Sequence, residues 1–135
     1  MLELLALVLT VEGWTTQSTT MAVSEKDGIA SISGVGSCYI DLTSQALPSQ
    51  INGVSFMVKG KGTARARLMM DTKGTTYALV VGFTAGDEET SVFLPKANAK
   101  PISLRPIVEG MPERMKLFID ADEPIEIQIR GIETW

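Results

Sequence analysis

The stretch from Gly53 to Pro95, GVSFMVKGKGTARARLMMDTKGTTYALVVGFTAGDEETSVFLP, restricts the fold more than any other part of the chain. Its apolar residues alternate with polar ones, and the runs are cut by Lys59-Gly60-Lys61-Gly62, Asp71-Thr72-Lys73-Gly74 and Ala85-Gly86-Asp87-Glu88. A period of two marks a strand that buries one face. Gly and Asp tolerate the backbone angles of tight turns, so each interruption reads as a turn. The stretch is therefore predicted to be a meander of four antiparallel strands. In it Ala64, Ala66, Leu68 and Met70 face inward, and Arg65, Arg67, Met69 and Asp71 face outward.

The remaining segments agree with this reading. Thr19 to Ser24 and Ile29 to Ser33 flank Lys26-Asp27-Gly28, a hairpin signal. Gly34-Val35-Gly36 breaks the second of these, and Ser37 to Leu42 continues or restarts it, with Cys38, Ile40 and Leu42 on one face. Thr43 to Gly53, polar and carrying Pro48, reads as a crossover between two sheets. Ile102 to Ile107 is a strand interrupted by Pro106, hence near an edge. Gly110-Met111-Pro112 is a further break. Arg114 to Ile119 alternates, Asp120 to Pro124 reads as an acidic turn, and Ile125 to Ile132 has a clean period of two. Thr75 to Phe83 is nearly continuously apolar, which suggests a central strand. Gly13 to Thr16 reads as a turn.

The apolar start, Met1 to Val11, carries Glu3 and has neither a basic leader nor a small-x-small cleavage site. It is also well short of the roughly 18–20 residues of a membrane helix. Leu2 to Val11 is Leu-rich, and its pattern alone fits a helix as well as a strand, but its length and the stop at Gly13 favour a strand buried on both faces. About ten short strands with no amphipathic helix point to an all-β fold. The expectation is a single antiparallel β-sandwich domain over residues 1–135, of jelly-roll type because a long connector splits the strand groups.

Composition removes several classes of function. The chain has 135 residues, no histidine and one cysteine, Cys38. Ser-His-Asp and Cys-His catalysis, His-ligated zinc and thiolate clusters are thereby excluded. A net charge of −4 without a basic run gives no footprint for nucleic acid. Gly60-Lys61-Gly62-Thr63 superficially resembles a phosphate loop, but the required residue spacing and the following helix are missing, so it reads as a hairpin turn. The acidic groups Asp87-Glu88-Glu89 and Asp120-Ala121-Asp122-Glu123 could supply oxygen ligands to Ca²⁺ or a carboxylate pair for glycoside hydrolysis. Neither has calcium-loop spacing and both lie in predicted turns, so neither an enzyme nor a cofactor is expected. Cys38, between strand residues, reads as a buried thiol.

What remains is a polar sheet face. Tyr39, Asp41, Arg65, Arg67, Asp71 and Tyr77 are taken as outward-facing by alternation. Aromatic rings stack on the apolar C–H faces of sugars, while arginine and aspartate match sugar hydroxyls as donors and acceptors. The competing reading is an ordinary solvated sheet with cross-strand Arg–Asp pairs.

Gly53-Val54-Ser55-Phe56-Met57-Val58-Lys59-Gly60-Lys61-Gly62, followed by an Arg-bearing strand, a turn and a Tyr strand, resembles the central part of galactose-binding-like carbohydrate-binding modules. Ile125 to Ile132 resembles their last strand. The resemblance implies a non-catalytic module that binds glycan through an exposed sheet face. The alternative is a virion structural protein, a capsid decoration or baseplate component acting through protein partners in a homo-oligomer or larger assembly. The first fits an extracellular setting and the second a virion surface.

Overall fold

The computed structural model describes residues 13–72, 74–104 and 113–135. The expected strand at Leu2 to Val11, the Pro106 position and the break at Gly110-Met111-Pro112 lie outside these residues. The described residues form eight strands: β1 (Trp14–Thr16), β2 (Met21–Lys26), β3 (Ile29–Asp41), β4 (Gly53–Thr72), β5 (Thr75–Ala85), β6 (Thr90–Pro95), β7 (Lys100–Leu104) and β8 (Arg114–Thr134). All pairings are antiparallel.

Three long strands, β3, β8 and β4, run side by side through the whole molecule and bend at the same level. Beyond the bend, Gly36–Asp41 of β3, Arg114–Ala121 of β8 and Gly62–Thr72 of β4 form one layer with β1, β5 and β7. Before it, Ile29–Gly34 of β3, Ile125–Thr134 of β8 and Gly53–Lys61 of β4 form the other layer with β2 and β6. The inner faces of both layers meet in one core that includes Ile32, Phe56, Val58, Leu68, Met70, Leu117, Ile119, Ile127 and Ile129. Phe56 from one layer meets Phe83 from the other edge-on, with ring centroids 5.9 Å apart. The result is the expected antiparallel β-sandwich of jelly-roll type.

The bend corrects two readings. Gly60-Lys61-Gly62 is not a hairpin turn but a corner inside the 20-residue strand β4. Gly60 and Gly62 have φ of 134° and 110°, which glycine alone adopts cheaply. A Cβ on Gly60 would lie 2.2 Å from the Glu126 carbonyl oxygen. Glycine is needed because β8 crosses there. Asp120 to Pro124 is likewise not a turn: it is a bulge within β8, where Ala121 to Ile125 faces only Gly34 to Gly36 of β3. Pro124 fits because a bulge frees its nitrogen from the ladder.

The central stretch is accordingly three strands rather than a four-strand meander. β6 crosses to the other layer and pairs with the first half of β4. β5 lies between β4 and β7, as a central strand should, but β7 pairs only with Thr75–Ala78 and the outward Val80 is 51% exposed. Gly13 to Thr16 is not a plain turn either, since Trp14–Thr16 adds to the edge of β3. The Asp27-Gly28 hairpin is as expected, with both residues at positive φ. The crossover between Asp41 and Gly53 does pass from one layer to the other and contains a 3₁₀ turn at Pro48–Gln50.

Candidate functional site

Strand pairing arranges the outer face of the β1-β3-β8-β4-β5-β7 layer in rows. Ser37, Asp120, Arg65 and Gly82 form one row; Tyr39, Phe118, Arg67 and Val80 form the next; Asp41, Lys116, Met69 and Ala78 form a third. Arg114, Asp71 and Thr76 close the set.

The middle row is an aromatic pair covered by cations. The Tyr39 and Phe118 rings lie 5.1 Å apart, tilted by 40°. The Arg67 guanidinium sits 4.1 Å from the Phe118 ring centre, and Lys116 Nζ lies 4.8 Å from that of Tyr39. These are favourable cation–π separations. Arg67 is fixed by a bidentate pair with Asp120, Nε to Oδ2 at 2.9 Å and Nη2 to Oδ1 at 3.2 Å. The Ser37 hydroxyl donates to the same carboxylate. Arg67 and Asp120 side chains are 30% and 13% exposed, so the pair is partly shielded from water. Arg65 makes a second bidentate pair with Asp122, at 2.6 and 3.3 Å. Hydrogen bonding to Arg65 holds the Asp122 carboxyl below the ordinary aspartate value.

Five of the six expected residues share this face. Tyr39, Arg65 and Arg67 lie near its centre, Asp41 accepts the Thr43 N–H at 2.9 Å, and Asp71 accepts from the Thr76 hydroxyl at 2.6 Å. Tyr77 is the correction. The register across the β4–β5 turn sets Thr76 opposite Asp71 and Tyr77 opposite Met70. Tyr77 therefore points inward and packs, partly buried, against the core. Lys116, Phe118 and Asp120 were missed. Their signal was present, since RMKLFID alternates and puts Arg114, Lys116, Phe118 and Asp120 opposite Met115, Leu117 and Ile119.

Three of the six carboxylates in the acidic groups are paired with arginine. Besides Asp120 and Asp122, Glu89 accepts two hydrogen bonds from Arg130, one of them at 2.6 Å from Nε, which lower its pKa. Among the described residues no cluster of three or more His, Cys, Asp or Glu is gathered to hold a metal ion. Cys38 is fully buried, and burial, with the nearby Asp120 charge, pushes its thiol up to about 12. Among the described residues no helix is long and apolar enough to cross a membrane.

The other layer has a different outer face. A groove of about 510 Å³ runs over it, lined by Ser24, Ser31, Ser33, Lys59, Lys61, Asp87, Glu126 and Gln128 among others. Further along the same face Phe93 and Trp135 pair at 5.4 Å, 45% and 60% exposed.

No family model matches this chain, and no curated protein matches it. Solved structures do. The family 11 carbohydrate-binding module of a cellulosomal cellulase from Clostridium thermocellum superposes with a TM-score of 0.60 at 15% identity, over 92% of this chain and 88% of that one. The same module in complex with a β-1,3-1,4-mixed-linked tetrasaccharide gives 0.60 at 14% identity, over 92% and 89%. A family 29 carbohydrate-binding module gives 0.54 at 15% identity, over 90% and 77%. The chain thus has the jelly-roll β-sandwich fold of these carbohydrate-binding modules.

Proposed function

We propose that this chain is a non-catalytic glycan-binding module whose ligand lies across the outer face of the aromatic layer. The observation that carries the reading is the Tyr39 ring, packed against Phe118, which is only 8% exposed beneath Arg67, and bordered by charged groups. A stacking floor is useful to a sugar only if it is rigid and bordered by hydrogen-bonding groups, and both conditions are met. Asp120, itself bonded by Ser37, holds Arg67 over Phe118, so Arg67 loses little freedom when it donates outward. Lys116, Arg65, Asp41 and Asp71 border the rings and offer donors and acceptors to hydroxyls. Among the described residues, Lys116 is held over Tyr39 by a cation–π contact alone. Its flexible stem lets the ammonium leave the Tyr39 ring and follow a ligand.

The fold supports the same reading, because solved modules of this shape include complexes with a mixed-linked tetrasaccharide and with cellohexaose. The proposed site comprises Tyr39, Asp41, Arg65, Arg67 and Asp71, now joined by Lys116, Phe118 and Asp120. Affinity electrophoresis through gels containing soluble β-glucan, mannan or xylan tests it. The expected result is retardation by at least one polysaccharide that Tyr39→Ala abolishes. Equal mobility of wild type and variant in every gel would refute the reading.

A further inference from the structure

The groove on the opposite layer stands on its own. Its floor combines Ser31, Ile32 and Ser33 from β3 with Glu126, Ile127 and Gln128 from β8, and Lys59 and Lys61 lie beside them on β4, so polar and apolar surface are mixed. One wall is the β5–β6 connection carrying Asp87, pinned where the Gly60 N–H donates to the Gly86 carbonyl at 2.9 Å. The other is β2. It is separated from the aromatic face by the thickness of the sandwich.

Two properties define what fits. First, most of the polar groups are unspent: among the described residues, the side chains of Ser31, Ser33, Lys61, Glu126 and Gln128 make no hydrogen bond or ion pair with one another or with their neighbours, and Lys59 interacts only through its charge, with Glu89. The opposite face differs, since Arg65 and Arg67 there are already paired with Asp122 and Asp120. Second, the charges balance, because two lysines are matched by Asp87 and Glu126. An anion would meet carboxylates and a cation would meet ammonium groups. A wholly apolar ligand would suit Val23, Ile32 and Ile127 but strand the floor's donors and acceptors without water, so the fit is to a ligand with both C–H faces and hydroxyls. A peptide adding as a strand would pair along an edge such as β2 and would not lie over the floor, because β3, β8 and β4 are interior strands with neighbours on both sides. A ligand whose every substituent both donates and accepts meets none of these objections. The Phe93–Trp135 pair adds a stacking surface on this same face, four residues before Lys59 in the register of β4 and so about 13 Å along the strand.

We propose that this groove is a second glycan site, taking a neutral, hydroxyl-rich oligosaccharide, so that one module holds two sugar chains on opposite faces. The inference rests on the glycan reading above but can fail without it. A module with two such sites cross-links polysaccharide chains instead of merely attaching to one.

Native mass spectrometry with cellohexaose, the mixed-linked tetrasaccharide and matching manno- and xylo-oligosaccharides counts the sites. The full chain is compared with a face variant, Tyr39→Ala/Lys116→Ala, and a groove variant, Lys59→Ala/Gln128→Ala. Thermal melts establish that each is folded, and Ser33→Glu, which fills the floor, provides an independent groove variant. The expected result is two sugars on the wild type, one on each double variant, and at least tenfold weaker binding at the altered site. One sugar on the wild type, lost in the face variant and kept in both groove variants, would overturn the second site and leave the glycan reading standing. One sugar lost only in the groove variants would leave the groove and refute the aromatic face. No sugar from any set on the wild type would end both.

Discussion

The corner at Gly60 offers the sharpest test of how this chain makes two layers from one set of strands. Gly60→Ala adds a single Cβ, yet that atom would stand 2.2 Å from the Glu126 carbonyl oxygen and 2.7 Å from Ile127 Cα. Both are backbone atoms of β8, so no rotamer change relieves the clash. The φ of 134° adds a second cost. Strained backbone angles cost about 1–3 kcal/mol, and forcing extra volume into packed structure costs about 1–3 kcal/mol more. A combined destabilisation of roughly 4 kcal/mol is a large share of the ~5–15 kcal/mol available to a domain. With an unfolding entropy of about 0.28 kcal/mol/K for this chain length, the melting temperature should fall by roughly 14 °C. Two controls separate the causes. At Gly131, φ is 64° but the nearest atom to an added Cβ is 3.8 Å away, so Gly131→Ala carries only the backbone cost, about 1–2 kcal/mol. At Gly82 nothing lies within 4 Å and φ is ordinary, so Gly82→Ala should be neutral or stabilising by up to about 1 kcal/mol. Scanning calorimetry measures all three. A Gly60→Ala midpoint within 3 °C of wild type would refute the close-crossing account of the corner.

Three further outcomes are expected. Arg67→Ala leaves the Asp120 carboxylate, 13% exposed, without its bidentate partner and should cost roughly 1–2 kcal/mol by denaturant titration, with Arg67→Lys restoring only part of it. Cys38, buried and with its thiol raised to about 12, should not react with a thiol reagent in the native protein and should react promptly in denaturant; prompt native labelling would contradict its placement. Asp122 and Glu89 have carboxyl groups held low by arginine, so their contribution to stability is present above the unfolded carboxylate pKa and is lost as pH falls through the folded values. Carboxyl NMR should show Asp122 titrating below 3.8, and Arg65→Ala should return it to the ordinary value.

Alternation alone was enough to orient most of the sheet. Val54, Phe56 and Val58, then Ala64 to Met70, and Ile125 to Ile129 face the core as their period requires, and Arg65 and Arg67 face out. Two of the failures share one cause. Gly60-Lys61-Gly62 and Asp120 to Pro124 contain the residues that local turns use, and what distinguishes a strand corner from a turn is a neighbour distant in sequence. Gly60 is glycine because Glu126 passes over it, and no local pattern records that. Tyr77 was misplaced because the count of alternation restarts after a turn, and a shift of one residue exchanges the faces. The apolar run of β5 came from both an inward set and outward Ala78 and Val80. Phe118 was legible in its strand, but its pairing with Tyr39, some eighty positions away, needed the β3–β8 register. The Arg–Asp pairs of an ordinary solvated sheet are also present, and on this face they serve to hold Arg67 in place.

The measurement that bears most directly on the central claim is a ¹H–¹⁵N titration of the full chain with the mixed-linked tetrasaccharide and cellohexaose. The expected result is saturable movement of amides at Tyr39, Arg67, Lys116 and Phe118, removed by Tyr39→Ala. Spectra unchanged at these four positions up to millimolar sugar would contradict it.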